Sequence, residues 1–171
     1  MGTRNLTIVK SKGKVKVAQY CQWDGYPTGQ GETISNFLRD KKNIEKLNTE
    51  IQTVEFISHE EENKLWHGLG ADDSGLVNME VSDKFKEKYP ELHRDTGAKV
   101  LSLIATGKAK KVANEIDFLK DKLFCEYAYE IELDKKTVAV YVGGKKYKTY
   151  KFSDFAKKTA MKKLEKELKG E

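Results

Sequence analysis

Chemically versatile side chains are most concentrated in the segment 20–31, which reads YCQWDGYPTGQG. Its aromatic rings provide flat surfaces on which a base or a sugar stacks, its amide and carboxylate groups provide directional contacts, and its glycines let a ligand approach the backbone. The segment therefore predicts a site for a small polar ligand with a planar part. The residues assigned to that site are Tyr20, Gln22, Trp23, Asp24 and Tyr26.

The same segment is equally compatible with a purely structural turn. In that interpretation its glycines adopt positive φ and its aromatic rings cover the edge of a sheet. Neither common nucleotide motif is met, because Gly29-Gln30-Gly31 lacks the third glycine of the dinucleotide fingerprint and no Gly-Lys-Ser/Thr follows. Both interpretations stay open at this stage.

A second polar group precedes a predicted helix at Arg94-Asp95-Thr96-Gly97. Backbone N–H groups of Thr96 and Gly97 at a helix N-terminus would point at an anion, with Arg4 or Arg94 supplying positive charge. The structural alternatives are an N-cap role for Asp95 and a surface ion pair for Arg94. The sequence predicts that this group and the segment 20–31 converge on one ligand.

Two carboxylates offer a catalytic alternative. Asp24 and Glu126 would work as a general acid and base if their carboxyl groups lie within about 10 Å of each other. Glu126 alternates onto the strand face that carries Glu130 and Glu132, so a solvated face is its default position. On that pattern Glu130→Lys is expected to be nearly silent.

Metal and thiol chemistry have little support in the sequence. The three histidines do not form a His-Glu-x-x-His motif, and no second ligand pair has metal-binding spacing. Cys21 and Cys125 are far apart and fit buried apolar positions better than nucleophilic ones. No metal and no cofactor are predicted.

Composition narrows the class of protein. The 171 residues are 38% hydrophobic and carry a net charge of +5, which fits one globular domain over residues 1–171. Only three of the 32 basic residues are Arg, and this lysine excess favours a solvated surface over a nucleic-acid footprint. No apolar run is long enough for a membrane span, and two cysteines without metal spacing favour the cytoplasm, or a host cytoplasm if the protein is viral.

Hydrophobic periodicity predicts an α+β fold. Alternation from Arg4 to Cys21 predicts a β-hairpin, and alternation over 124–133 begins a C-terminal antiparallel meander. Helical spacing over 34–51, a Ser58 cap, a short helix begun by Ser82 and a final helix capped by Ser153 predict helices that cover a largely antiparallel sheet. One strand stripe should pack on one helix stripe. These stripes are Tyr127, Tyr129, Ile131 and Leu133 on the strand, and Val100, Leu101 and Ile104 on the helix, and the alternation places Cys125 on the same strand face.

Several blocks together resemble an uncharacterised family found in phages, bacteria and fungi. They read GTRNLT, then VAQY and QWDGYP with GQG, then RDTGAKVL, and finally LFCEYAY with LD. The blocks span most of the chain in this order. Cys21 departs from the small residue expected there, and the region 50–89 carries no matching signature. The resemblance implies a shared fold and brings no established activity.

Three functions follow from these patterns. The first is a small-ligand binding protein for a polar, nucleotide-like metabolite, which in a phage would sequester a host signalling nucleotide. The alternative is a hydrolase that uses the carboxylate pair on a phosphorylated or glycosidic small substrate. The third is a protein-interaction module that uses the lysine-rich C-terminal helix around Lys162 and Lys163.

Overall fold

The computed structural model describes residues 2–171 and contains a mostly antiparallel five-stranded sheet in the order β2-β1-β5-β6-β7. A separate two-stranded parallel pair, β3 and β4, extends the edge beside β2. The strands are β1 (Asn5–Ser11), β2 (Lys14–Cys21), β3 (Glu55–Phe56), β4 (Lys111–Val112), β5 (Tyr127–Glu132), β6 (Thr137–Val142) and β7 (Lys145–Lys151). The α+β prediction, with its N-terminal hairpin and C-terminal meander, is confirmed.

Seven α-helices surround this sheet. They are α1 (Glu32–Leu38), α2 (Lys41–Glu50), α3 (His59–Gly68), α4 (Met79–Lys88), α5 (Val100–Ala105), α6 (Phe152–Phe155) and α7 (Ala160–Lys169). Within residues 2–171, no helix is long and apolar enough to cross a membrane.

Side-chain caps explain where two of the helices begin. The Ser58 hydroxyl accepts from the Glu61 N–H, as predicted for α3. The Asn78 side chain accepts from the Val81 N–H, so α4 begins before Ser82 rather than at it. The Ser153 prediction is wrong, because that residue lies inside α6 and α7 begins after Thr159.

The hairpin and the meander meet through a parallel pairing of β1 with β5, in which Asn5 lies opposite Tyr127. The antiparallel pairing on the other side of β1 places Asn5 opposite Cys21. The start of β1, the end of β2 and the start of β5 therefore lie side by side at one end of the sheet. Loops that follow or precede these strands are brought together there.

The larger hydrophobic core lies on the sheet face that carries Tyr129 and Ile131. It contains the helix stripe of Val100, Leu101 and Ile104 together with residues of α1, α2, α6 and α7. The predicted packing of these two stripes is confirmed, and Leu133 joins the same cluster. Tyr129 is fully buried at its centre.

The opposite face of the sheet is covered as well, which corrects two predictions. A single-turn segment at 116–120 packs over Leu6 and Ile8, and Cys125 belongs to this second cluster rather than to the Tyr129 face. Glu130 is only 8% exposed there, with its carboxylate 3.2 Å from Lys10 Nζ. The period-two pattern gave the correct register, but the face assigned to solvent lies under a second layer.

Candidate functional site

Buried side chains hold the loop that follows β2, which we call the Trp23 loop (residues 22–31). Asn5 Nδ2 lies within hydrogen-bond distance of the carbonyls of Thr3, Cys21 and Trp23, at 3.1, 3.3 and 3.0 Å. The Tyr129 hydroxyl donates to the Gly25 carbonyl at 2.7 Å. The loop is therefore fixed by the strands beneath it.

Two glycines of the Trp23 loop are required by close packing, Gly29 against the loop itself and Gly25 against the start of β1. A Cβ on Gly29 would lie 2.1 Å from the Asp24 carbonyl oxygen, and one on Gly25 would lie 2.7 Å from Asn5 Cβ. Asp24 itself has φ of +56°, and its carbonyl accepts from the Gln30 N–H at 2.7 Å. At Gly25 and Gly29 the space beside the backbone is thus filled by the protein. The structural-turn interpretation is wrong in assigning positive φ to the glycines of the segment 20–31, because Asp24 is the residue of that segment with positive φ.

The predicted convergence of the Trp23 loop with the residues around Arg94 is present in the structure. The Gln22 N–H donates to the Arg94 carbonyl at 3.1 Å, and the Trp23 indole N–H donates to Asp95 Oδ1 at 3.0 Å. Gln30 Oε1 accepts from the Ala98 N–H at 2.8 Å. These bonds dock residues 93–98, which we call the Arg94 segment, against the loop.

The predicted anion site at the start of the helix is not formed. The Ala98 N–H is taken by Gln30, the Thr96 N–H donates to the His93 carbonyl, and α5 has only six residues. Gly97 has φ of +52° and packs against the Gln30 side chain. Asp95 does not cap the helix, because its carboxylate binds the Trp23 indole instead.

Two cavities of about 350 Å³ each are lined by residues of the Arg94 segment. The first, the Trp23 cavity, is open to solvent, and one of its two lysines is paired with a carboxylate, since Lys86 Nζ lies 3.4 Å from Asp95 Oδ2. Its lining is Trp23, Asp24, Gly29, Gln30, Thr33, Lys86, Asp95, Thr96 and Lys99.

The second, the Tyr20 cavity, lies between β2 and the helix pair α3 and α4. It combines aromatic rings, a guanidinium, a buried imidazole and two carboxylates in one space. Its lining is Gln19, Tyr20, Glu62, Trp66, Gly75, Val77, Ser82, Leu92, His93, Arg94 and Glu115. Tyr20 and Arg94 are the two predicted ligand-binding residues that this cavity brings together.

The aromatic rings of the Tyr20 cavity are held in place by their neighbours. The Tyr20 ring meets Phe118 edge to face at 5.0 Å, and its hydroxyl donates to Gln22 Oε1 at 2.6 Å. The Trp66 ring lies parallel to Phe85, with the ring centroids 3.7 Å apart. Rings fixed in this way present stacking surfaces at little entropic cost.

Arginine side chains near this cavity affect the pKa of Tyr20, and one of them has no acidic partner in the part of the chain that the structure describes. Burial raises the pKa of the Tyr20 hydroxyl, and the positive charges of Arg4 and Arg94 oppose that rise. Arg94 is exposed and makes no ion pair within residues 2–171. Its guanidinium is therefore available to an anion at the cavity rim.

Glu115 has a partly desolvated carboxyl group. The residue as a whole is exposed, but protein crowds its carboxyl end, whose Oε2 accepts from the Tyr20 N–H at 2.8 Å. Desolvation raises the pKa of this carboxyl, and the charge of Glu62 raises it further. The carboxyl groups of Glu62 and Glu115 thus line the same space.

His93 is almost fully buried and joins Ser82 to the Arg94 segment. Its Nε2 is 3.0 Å from Ser82 Oγ, and its Nδ1 is within 3.2 Å of the Asp95 N–H, which donates to it. The imidazole proton is therefore on Nε2, and Ser82 accepts from it. This direction is opposite to that of a histidine acting as general base toward a serine nucleophile.

Five predicted site residues line neither cavity, namely Arg4, Gln22, Tyr26, Gly97 and Glu126. Glu126 Oε2 accepts from the Arg4 N–H at 2.8 Å, and the Arg4 guanidinium covers the Phe124 ring. The Tyr26 hydroxyl donates to Asp24 Oδ1 at 3.1 Å. The predicted carboxylate pair is thus divided, since Asp24 lines the Trp23 cavity and Glu126 does not.

Sequence reasoning missed several residues of the Tyr20 cavity, namely Glu62, Trp66, Ser82 and Glu115. The first three belong to the region 50–89, where the sequence carries helix signals but no motif. The pairing of Trp66 with Phe85 across two helices was the available signal, because two large aromatics on short polar helices need a common partner surface. In the described part of the chain, no three His, Cys, Asp or Glu residues are placed to hold a metal ion.

Comparison with known proteins identifies no relative of this chain. No family model, no curated protein and no solved structure matches the chain. The resemblance to an uncharacterised family of phages, bacteria and fungi stays a prediction.

Proposed function

We propose that this protein binds a small polar ligand in the Tyr20 cavity, and that the ligand combines a planar ring with an anionic group. The observation that carries the proposal is Arg94, a guanidinium without an acidic partner in residues 2–171 at the rim of a cavity that also holds Tyr20 and Trp66. A cavity with these few convergent polar groups on an aromatic wall is typical of a ligand site.

The lining favours a nucleotide among such ligands. Aromatic side chains offer stacking surfaces to a base, the carboxylates of Glu62 and Glu115 accept hydrogen bonds from ribose hydroxyls, and Arg94 binds a phosphate. The cavity volume of about 350 Å³ lies near the small end of ligand sites, so a mononucleotide fits better than a dinucleotide. Sequestration of a signalling nucleotide is the form of this function that the resemblance to phage proteins favours.

The Trp23 loop has a supporting role in this proposal. Gln22 binds the Arg94 carbonyl and Trp23 binds the carboxylate of the next residue, Asp95, while the Trp23 ring itself lines the other cavity. Trp23 is therefore a positioning residue for Arg94 and does not contact the ligand.

Calorimetric titration with mononucleotides, cyclic nucleotides, dinucleotides and ADP-ribose tests the proposal. We expect one class to bind with Kd well below about 1 mM, and Arg94→Gln to weaken it at least about tenfold. Lys99→Gln, which removes a positive charge from the Trp23 cavity, is the matched control and should leave the affinity unchanged. Absence of submillimolar binding, or a loss with Lys99→Gln and none with Arg94→Gln, would overturn it.

A hydrolase is the second candidate, and the pairing of Glu62 with Glu115 in one cavity favours it over the predicted Asp24 and Glu126 pair. Two carboxyl groups in one cavity, with the pKa of Glu115 raised by desolvation, suit general acid–base catalysis. Incubation of the bound nucleotide with the protein, followed by chromatography, separates the two functions. Turnover that Glu115→Gln abolishes while binding persists identifies the hydrolase, and an unchanged ligand identifies the binding protein.

A further inference from the structure

A third cavity, larger than the two beside the Arg94 segment, lies at the opposite end of the sheet from the Trp23 loop. It has a volume of about 820 Å³ and is bounded by α1, α2, the start of β6, the end of β7 and α6. We call it the Phe152 groove. Its lining is Leu38, Arg39, Lys41, Ile44, Glu45, Lys135, Lys136, Thr137, Lys151, Phe152, Ser153, Ala156 and Lys157.

The floor of the groove is apolar and its rim is basic. Leu38, Ile44, Phe152 and Ala156 supply the apolar surface. The rim carries five lysines and one arginine against the single carboxylate of Glu45. A ligand therefore has to bring both apolar groups and negative charge.

Only some of these basic side chains form ion pairs with carboxylates of the protein. Lys135 and Lys157 pair with neighbouring carboxylates, and Arg39 is engaged by Glu32. Lys41, Lys136 and Lys151 are exposed and form no ion pair anywhere in the chain from residue 2 to residue 171. Three lysines around one apolar floor form a surface with unsatisfied positive potential.

We propose that the Phe152 groove docks an acidic, amphipathic peptide segment of a partner protein. Apolar side chains of the segment would enter the groove, and its carboxylates would face Lys41, Lys136 and Lys151. The groove is open and its lysines come from separate elements, so an extended segment reaches more of them than a small anion does.

A nucleic acid fits the same surface less well. Lysines are point charges without the planar fork that recognises bases, and the one arginine is held by Glu32 and by the Ala156 carbonyl. The floor has no exposed aromatic ring for stacking, since Phe152 is 6% exposed. Salt-dependent oligonucleotide binding is therefore the competing outcome to exclude.

The experiment is a selection from a random library of peptides of about twelve residues, followed by titration of the selected peptides against two charge-matched double variants. One variant carries Lys41→Glu with Lys151→Glu in the groove. The control carries Lys162→Glu with Lys163→Glu on α7, which leaves the groove intact and also tests the lysine-rich helix as an interaction surface.

We expect the selected peptides to contain both acidic and apolar residues, and to lose at least about tenfold in affinity on the groove variant but not on the control. Replacing their apolar residues with Ser should abolish binding. The proposal is overturned if the selected peptides lack acidic residues, if both double variants weaken them alike, or if no peptide binds more tightly than about 100 µM. A single-stranded oligonucleotide that binds more tightly than every peptide would also overturn it.

Discussion

The indole N–H of Trp23 donates a 3.0 Å hydrogen bond to the Asp95 carboxylate, and this bond joins the Trp23 loop to the segment that carries Arg94. It links residues that are 72 positions apart in the chain. The bond explains why Trp23 lies beside the Tyr20 cavity without lining it.

Replacing Trp23 with Phe should weaken this connection while keeping an aromatic ring. Because the bond is exposed to solvent, we expect the free energy of unfolding to fall by only about 1 kcal/mol or less, as measured by urea denaturation. Tyr26→Phe, which removes a hydrogen bond within the loop, is the matched control. An equal or larger loss with Tyr26→Phe would contradict the assigned role of Trp23.

Glu130 should be far more sensitive to charge reversal than its alternating pattern suggests. Its carboxylate is 3.2 Å from Lys10 Nζ and accepts from the Tyr141 hydroxyl, so Glu130→Lys buries an unpaired ammonium beside another one. We expect a loss of about 3–5 kcal/mol in unfolding free energy. Glu60→Lys on the exposed surface of α3 should cost under about 0.5 kcal/mol. Similar losses of unfolding free energy for the two variants would show that Glu130 is exposed to solvent, which would contradict the prediction.

Glu130 also shows how far the sequence could be read. Hydrophobic periodicity was sufficient to predict which residues of β5 face the core and that they pack with α5, because only a few apolar stripes in the chain can cover that strand face. It could not reveal the second layer at 116–120, which is a short turn with no repeating pattern. A strand face that looks polar is exposed only if nothing else covers it.

The Tyr20 cavity was only half predictable for a related reason. Tyr20 and Arg94 stand out as residue types near element ends, and hydrogen bonds of the Trp23 loop bring them close. Trp66 and Ser82 come from a helix pair whose position against β2 depends on long-range packing. The position of a helix pair against a distant strand cannot be predicted from local patterns in a single sequence.

His93 should make the protein less stable in mild acid. Burial lowers the pKa of this imidazole below its usual 6.5, so the unfolded chain takes up the proton more readily than the folded one. Stability contributed by neutral His93 is therefore present above about pH 6.5 and lost as the pH falls through the folded-state pKa. The positive charges of Lys86 and Arg94 act in the same direction, and Asp95 opposes them.

Urea denaturation at pH 7 and at pH 5.5 measures this effect. The native protein should lose stability between the two pH values, and His93→Gln should lose less. His67→Gln, at an exposed position on α3, is the control and should behave like the native protein. The same pH slope in the native protein and in His93→Gln would show that the imidazole binds its proton equally well in the folded and the unfolded chain, which would contradict the prediction.

Gly29 should tolerate no side chain. Because a Cβ would lie 2.1 Å from the Asp24 carbonyl oxygen, Gly29→Ala forces the Trp23 loop to shift. We expect a loss of about 1–3 kcal/mol in thermal or urea unfolding. Gly68→Ala is the matched control, since open space surrounds that position at the end of α3. A neutral Gly29→Ala would mean that the loop adopts another conformation.

The two tryptophans provide the most direct test of the proposed ligand site. The chain has only Trp23 and Trp66, and each lines a different cavity. Their indole N–H resonances can be followed by ¹⁵N-resolved NMR during titration with the nucleotide panel, after assignment with Trp23→Phe. Binding in the Tyr20 cavity predicts a saturable shift of the Trp66 signal and a smaller one for Trp23. A shift of Trp23 alone, or no shift of either signal up to about 1 mM nucleotide, would contradict it.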